Sequence, residues 1–175
     1  VVLRLTLHGD VVAGAEVEYL GDAAASPVRD DGSTRAARLL DAAASVLSLA
    51  GLPADAARAR RLRDDCLRGL PIDRSAVDGL GMRIRRHRVL RWVLKGLVIV
   101  GDDGRPEELH DRLVTLVDRA GAAIDGGTVS DDRAWPTFEA LPELVEGHEL
   151  AAVRLWMAAL RADLTEAVRP EPSRG

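Results

Sequence analysis

The chain has little cysteine, few aromatic residues and no long apolar run, and these shortages exclude several classes of protein. Its 175 residues include one cysteine, three tryptophans, one tyrosine and one phenylalanine. The single thiol, Cys66, can form neither an internal disulfide nor a thiolate metal cage, so we expect a reducing, cytoplasmic compartment. Apolar residues make up 47% of the chain, which is enough for a core, but no segment is long enough to cross a bilayer.

The chain also lacks a basic excess. It carries 24 Lys and Arg against 28 Asp and Glu, a formal net charge of -4. Nucleic-acid-binding domains usually carry a clear basic excess, so we do not expect nucleic acid as a partner, and any basic surface must be local. No signal-peptide pattern precedes the first predicted strand, although the first residue is Val rather than Met, which leaves the natural start open.

The first twenty residues predict a β-hairpin, because apolar and polar residues alternate on both sides of Gly9-Asp10. The apolar rows are Val1, Leu3, Leu5 and Leu7 in the first strand and Val11, Ala13, Ala15, Val17 and Tyr19 in the second. A two-residue loop would set Leu7 opposite Val12 and put the rows on opposite faces, so we favour a connection of three or five residues, 8–10 or 8–12. A lone ribbon is marginal in water and must lie on helices, join another sheet or pair with a partner chain.

Apolar residues at helical spacing predict a bundle after residue 32. The first predicted helix runs from a cap at Ser33 or Thr34 to Ala50, and the second from Leu52 to Gly69 with a buried stripe that ends at Cys66 and Leu67. A third helix follows a cap at Asp73 or Ser75 and leads to an extended segment ending at Gly101. Its predicted apolar positions are Val77, Leu80, Ile84, Val89 and Val93.

The second half of the chain predicts three more helices. One starts at Pro106 and stops at Gly126-Gly127, a short one covers about residues 138–145, and a long one covers about residues 148–168. The predicted fold class is therefore α+β, mainly α, with an N-terminal hairpin at 1–20 packed on a bundle of about five or six helices at 33–168. Together they form a single domain, 1–168, and we expect residues 21–32 to be an exposed connection and residues 169–175 to be a disordered tail.

The densest charge cluster of the chain is the segment RIRRHRVLRWVLK, within about four helical turns. The simpler interpretation is a solvated cationic face, whose Arg stems cover apolar surface. The functional interpretation is contact with an acidic protein surface, with anionic lipid or nucleic acid as less favoured alternatives. The candidate partner-binding residues are Arg83, Arg85, Arg86, Arg88, Arg91 and Lys95.

No linear motif identifies a catalytic, cofactor or metal site. The histidines His8, His87, His110 and His148 lack partners at helical spacing, and the acidic pairs at 102–103 and 131–132 lack the ligand spacing of a calcium loop. Cys66 falls on a buried stripe without a nucleophile signature. We therefore expect no cofactor, no metal and no catalytic residue, and we expect Trp135, Phe138 and Trp156 to be core or interface anchors.

Two segments carry a family resemblance. LRLTLHGDVVAGAEVEYLG resembles the first hairpin of the large subunits of nickel-iron hydrogenases and of the related large chain of respiratory complex I. LGMRIRRHRVLRWVLKGLVIVG resembles the stretch of those proteins in which an Arg-rich segment precedes an apolar, Gly-containing one. The two segments make up about a quarter of the chain.

The chain departs from that family at its functional residues. The family's hairpin leads to a His-Arg-Gly segment, whereas Tyr19-Leu20-Gly21 is followed here by Asp22-Ala23-Ala24, and both Cys-x-x-Cys motifs are missing. The resemblance thus implies a shortened, metal-free accessory or scaffold subunit of a redox complex, acting through protein contacts. The alternative is a free-standing helical adaptor or regulatory protein that binds a small ligand in its bundle, and an enzyme without a linear motif is a third.

Overall fold

The computed structural model describes residues 2–18, 31–101, 103–127 and 135–167, with side chains described as far as Leu164. These residues are mainly helical with a hairpin at the head of the chain, so the predicted fold class is confirmed. Tyr19, most of the predicted connection at 21–32, Asp102, the loop at 128–134 and the predicted tail at 169–175 lie outside the described residues. The elements are β1 (Val2–His8), β2 (Val11–Glu18), α1 (Gly32–Leu49), α2 (Pro53–Leu67), α3 (Arg74–Arg86), α4 (Arg88–Val93), β3 (Val98–Val100), β4 (Pro106–Glu108), α5 (Leu109–Ile124), a 3-10 turn (Phe138–Ala140), α6 (Leu141–Val145) and α7 (Leu150–Ala167).

The N-terminal hairpin closes through a two-residue turn, so the prediction of a three- or five-residue connection was wrong. Gly9 takes a φ of 68, and His8 pairs with Val11 across the turn. The register then shifts by one residue: Leu7 lies opposite Val12, but Thr6 lies opposite Gly14. This β-bulge leaves Ala13 as the extra residue of β2 and brings the apolar rows onto one face beyond it, with Leu5 opposite Ala15. As a result Val12 is buried, whereas Ala13, predicted in the apolar row, is exposed.

Helix α1 has a well-defined start and stop. The carboxylate of Asp31 accepts a hydrogen bond from the Thr34 backbone N–H at 2.7 Å, so the N-cap is Asp31 rather than the predicted Ser33 or Thr34. At the other end Leu52 N donates to Leu47 O at 2.9 Å and Gly51, with a φ of 80, adopts the left-handed conformation. This is a Schellman stop, and it confirms that Gly51 ends the helix.

Helix α1 is the centre of the bundle. It packs against α2, α5 and α7. Many of its buried side chains are alanines. Helix axes approach more closely when the contacting side chains are small, so three neighbouring helices can pack around α1. The buried residues of α1 are Ala36, Ala37, Leu39, Leu40, Ala42, Ala43, Ala44, Val46 and Leu47.

Two details of the predicted second and third helices are corrected. The stripe of α2 is buried at Ala56, Leu62 and Cys66, but Leu67 ends the helix 63% exposed. The predicted third helix is interrupted at His87, whose ψ of 93 ends α3 and starts α4 in a new direction. Beyond the break Val89 and Val93, predicted as apolar positions of the same helix as Val77, Leu80 and Ile84, are exposed to solvent.

A second hairpin has its first strand in the predicted extended segment that ends at Gly101 and its second strand where the sequence predicted the start of a helix. β3 pairs antiparallel with β4, with Val98 opposite Glu108 and Val100 opposite Pro106. Gly104, with a φ of 72, helps to reverse the chain between them. The β-branched run at 98–100 takes residues 106–108 as its partner, and Pro106 is tolerated because it is the first residue of its strand. Helix α5 therefore begins at Leu109, three residues after Pro106.

The last two helices hold the N-terminal hairpin. β2 contacts α6, and its start is joined by backbone hydrogen bonds to the segment between α6 and α7, including Val12 N to His148 O at 2.9 Å. The long final helix buries Val153, Trp156 and Leu160 as predicted, with Leu150 and Met157 half-buried. The hairpin thus lies on helices, one of the three arrangements predicted for it.

Candidate functional site

The six cations predicted to bind a partner lie on two consecutive helices. Arg83, Arg85 and Arg86 form the last turn of α3, whereas Arg88 and Arg91 belong to α4 and Lys95 follows it. His87 joins the two helices: its backbone N–H donates to Ile84 O at 3.1 Å, and its Nδ1 accepts from Leu90 N at 3.0 Å. The cluster is therefore divided by a bend rather than spread along one helix.

The first two cations make ion pairs within the protein. Arg83 Nε donates to Asp55 Oδ1 at 2.8 Å, and Asp55 is only 5% exposed. The hydrogen bond to Asp55 raises the pKa of the Arg83 guanidinium. Arg85 donates to both oxygens of Asp118 on α5, at 2.6 and 2.5 Å. These two residues join α3 to α2 and to α5, and this structural role explains their presence without an external partner.

The other four cations face solvent. Arg86, Arg88, Arg91 and Lys95 are exposed, and no acidic side chain of the described residues pairs with them. Because nothing described neutralises these charges, they create a local positive potential on a chain whose net charge is -4. The basic surface is thus local, as predicted.

Apolar side chains are exposed beside these charges. Trp92 is 76% exposed, Val89 62% and Val93 41%, although Leu90 and Leu94 anchor the same helix in the core. At about 100° per residue, the three exposed apolar side chains occupy one arc of α4 and its cations the adjacent arc. We call this surface the Trp92 face; it comprises Arg88, Val89, Arg91, Trp92, Val93 and Lys95.

The histidines lie apart and serve local structural roles. His110 is buried with Nε2 3.3 Å from Ile84 O, and the ring of His148 meets Trp156 edge-on at 4.6 Å between centroids. His8 lies at the hairpin turn, and His87 caps α4. Among the described residues, no group of three or more His, Cys, Asp or Glu side chains is placed to hold a metal ion.

Cys66, its neighbours Asp64 and Asp65, and Asp103 are likewise part of the scaffold. Burial raises the pKa of the Cys66 thiol from 9.0 to about 11, so the thiol is neutral at physiological pH. Asp64 and Asp65 pair with Arg63 and Arg68, at 2.7 and 3.1 Å. Asp103 accepts from Arg105 N at 3.0 Å in the second hairpin, and the remaining residues of the predicted pairs, 102, 131 and 132, lie outside the described residues.

A buried polar cluster that was not predicted from the sequence lies between α5 and α7. Arg112, with no exposed side-chain surface, and Arg119 both donate to the carboxylate of Asp163. The guanidinium of Arg112 also lies 3.9 Å from the centre of the Trp135 ring, a cation–π contact. The available signal was periodicity: the two arginines are seven residues apart, which places them on one side of α5 within its apolar stripe.

A cavity of about 390 Å³ lies against α1, α2 and α7. Asp41 is at its wall, where it accepts a hydrogen bond from Arg63 at 2.5 Å and forms an ion pair with Arg161 at 2.9 Å. The hydrogen bonds to Asp41 and Asp64 raise the pKa of Arg63. These charges compensate one another, so the wall of the cavity carries an ion-pair network that ties the three helices together.

Comparisons with known proteins add no further information on this surface. Neither a family model, nor a curated protein, nor a solved structure matches the chain. The functional inference therefore depends on the geometry of the Trp92 face. No helix within the described ranges combines the length and the apolar character needed to cross a membrane.

Proposed function

We propose that this protein is a non-catalytic accessory or adaptor protein that binds an acidic protein partner through the Trp92 face. The observation that carries the proposal is the exposure of Trp92, at 76%, on a helix that the core holds at Leu90 and Leu94. Because this large aromatic side chain stays exposed beside two valines, the protein does not gain the hydrophobic free energy of burying it. A protein partner that covers this patch recovers that free energy.

The composition of the face is that of a binding hot spot. Trp and Arg are the residue types that most often dominate the energetics of protein interfaces, when the aromatic side chain fills a pocket and charged groups surround it. Trp92 would supply the anchor, and Val89 and Val93 would extend the apolar contact. Arg88, Arg91 and Lys95 would form the charged rim.

The charge of the face favours an acidic partner. Its cations have no described acidic neighbours, so carboxylates on a partner would steer association and fix its orientation. The net charge of -4 for the whole chain favours a patch-to-patch contact over general attraction to a polyanion. The face thus fits an acidic protein surface with an apolar centre.

The hydrogenase-like resemblance supplies one setting for this role. In that setting the chain is a metal-free subunit of a larger redox complex, and purification from its native source would recover it with iron-sulfur proteins. The alternative setting is a free-standing adaptor or regulatory protein, for which the cavity beside Asp41 would be the place to bind a small ligand. The same purification distinguishes the two settings, because the free-standing protein would be recovered without redox subunits.

The docking role is tested by capture of native-source proteins on three immobilised forms of the chain: wild type, Trp92→Ala, and Arg88→Glu combined with Arg91→Glu. Loss of a Trp anchor costs about 2 kcal/mol or more at a hot spot, which is roughly a thirtyfold loss of affinity. We expect both variants to lose the partner that wild type retains at physiological salt. We also expect capture by wild type to weaken as salt is raised.

The matched control is Arg60→Glu combined with Arg61→Glu, which reverses two exposed charges on α2. This control changes the net charge equally but leaves the Trp92 face intact, so it should retain the partner. Equal capture by wild type and by Trp92→Ala would contradict the proposal. Equal loss in both double variants would mean that overall charge, rather than this face, governs binding.

A further inference from the structure

The two outer edges of the N-terminal hairpin differ. The edge of β2 is partly covered, because Gly147 N donates to Val12 O at 2.9 Å and Leu150 N donates to Asp10 O at 2.7 Å. The other edge belongs to β1, which has β2 as its one strand neighbour in the described part of the chain. A strand edge of this kind presents backbone donors and acceptors that another strand can pair with.

β1 has few of the features that protect strand edges. It contains no proline, and the bulge that would distort it lies in β2, since the extra residue is Ala13. Its one fully charged side chain, Arg4, forms an ion pair with Glu18, with 2.6 Å between Nε and Oε2. Leu7 is 44% exposed, a further sign of an incompletely covered apolar row. Among the residues that the structure describes, the seven residues of β1 therefore form a regular edge that is open to pairing.

The sequence of β1 is complementary to itself. In an antiparallel pairing centred on Leu5, all seven residues of one copy lie opposite residues of the other. Leu3 then faces Leu7 of the second copy, so that the leucine rows meet, and Arg4 faces Thr6, so that no like charges are opposed. Centring on Arg4 instead would oppose two arginines. Moving the register by one residue would set leucines opposite the polar row.

We infer that two copies of this protein associate through β1, forming a four-stranded antiparallel sheet in the order β2-β1-β1-β2. The contact is isologous, because the same strand serves both partners about a two-fold axis at Leu5. It extends the hairpin, which already lies on helices, to a four-stranded sheet. It also brings the exposed Leu7 against Leu3 of the second copy. The inference is independent of the Trp92 face.

The test uses opposite charges at Thr6. Thr6 is exposed, and in its own hairpin it lies near Arg4 along the strand and diagonally from Glu16, so either charge has a small net effect on the single chain. In the paired sheet it faces Arg4 of the second copy, twice per dimer. With two pairs of ordinary strength, we expect Thr6→Glu to tighten dimerisation about fivefold and Thr6→Arg to weaken it about fivefold.

Sedimentation velocity over a range of protein concentrations measures the dimerisation constants of wild type and both variants. Far-ultraviolet circular dichroism confirms that each variant is folded. A dimer whose constant follows the sign of the charge at position 6 supports the inference. A chain that is monomeric at all concentrations overturns it, and so does a dimer whose constant is the same in both variants, since such a dimer would use another surface.

Discussion

Substitution of Asp163 by Asn should cost the protein a large share of its stability. Asp163, on α7, has a side chain only 9% exposed and accepts from both Arg112 and Arg119, whose side chains are 0% and 8% exposed. The change preserves the shape of the side chain but removes the negative charge that faces both guanidinium groups. Removing one partner of a buried ion pair typically costs about 3–5 kcal/mol, because the other charge loses that partner while it stays buried. Since small domains are stable by about 5–15 kcal/mol, the loss would be substantial.

The assay is equilibrium unfolding in urea. With a slope of about 2 kcal/mol/M, a loss of that size lowers the unfolding midpoint by roughly 2 M. The matched control is Asp118→Asn, the same chemical change at the pair with Arg85, where the side chains are 43% and 52% exposed. An exposed pair contributes about 0–1 kcal/mol, so the control midpoint should hardly move. If the two variants lost equal stability, the buried cluster would not depend on the Asp163 charge and the reasoning would be refuted.

Two further predictions concern packing. Gly32→Ala should destabilise the protein by about 1–3 kcal/mol, because a Cβ there would lie 2.2 Å from the carbonyl oxygen of Ala123. Gly79→Ala, in open space within α3, should instead stabilise the protein by about 0.5–1 kcal/mol. Urea unfolding midpoints that move in the same direction for both variants would contradict this prediction. Because burial raises the pKa of the Cys66 thiol to about 11, the stabilising contribution of the neutral thiol should be present below pH 9 and lost as the pH rises from about 9 to 11. Alkylation of Cys66 at pH 8 should require unfolding of the protein. A Cys66→Ala variant that loses the same stability at alkaline pH, or fast alkylation of the folded protein, would count against this prediction.

The helices were predictable where one local rule decides the outcome. The stripe of α1 at Leu39, Leu40 and Leu47 repeats with helical spacing, and Gly51 stops the helix by a short-range motif, so neither depends on distant residues. The hairpin prediction succeeded for the same reason and went wrong at its turn. The two apolar rows do meet on one face, but a bulge at Ala13 brings them together instead of a longer loop.

The features that the sequence did not reveal depend on tertiary neighbours. Asp55 and Asp118, the partners of Arg83 and Arg85, are 28 and 33 residues away in the chain, so no local pattern predicts these ion pairs. The two paired cations therefore could not be distinguished by sequence from the four that face solvent. The break at His87 also follows from packing, because α3 and α4 bury separate apolar positions, Ile84 and Leu90, on either side of it.

The alanines of α1 have a consequence for how this protein can vary. The alanines are buried on α1, and α1 packs against three other helices. A larger side chain at one of these positions would therefore push neighbouring helix axes apart and strain several contacts at once. The outer side of α2, rich in exposed arginine, carries no such constraint. In a saturation-mutagenesis library, substitutions at Ala36, Ala42 and Ala43 should therefore be depleted, while those at Arg60 and Arg61 should survive selection for folding.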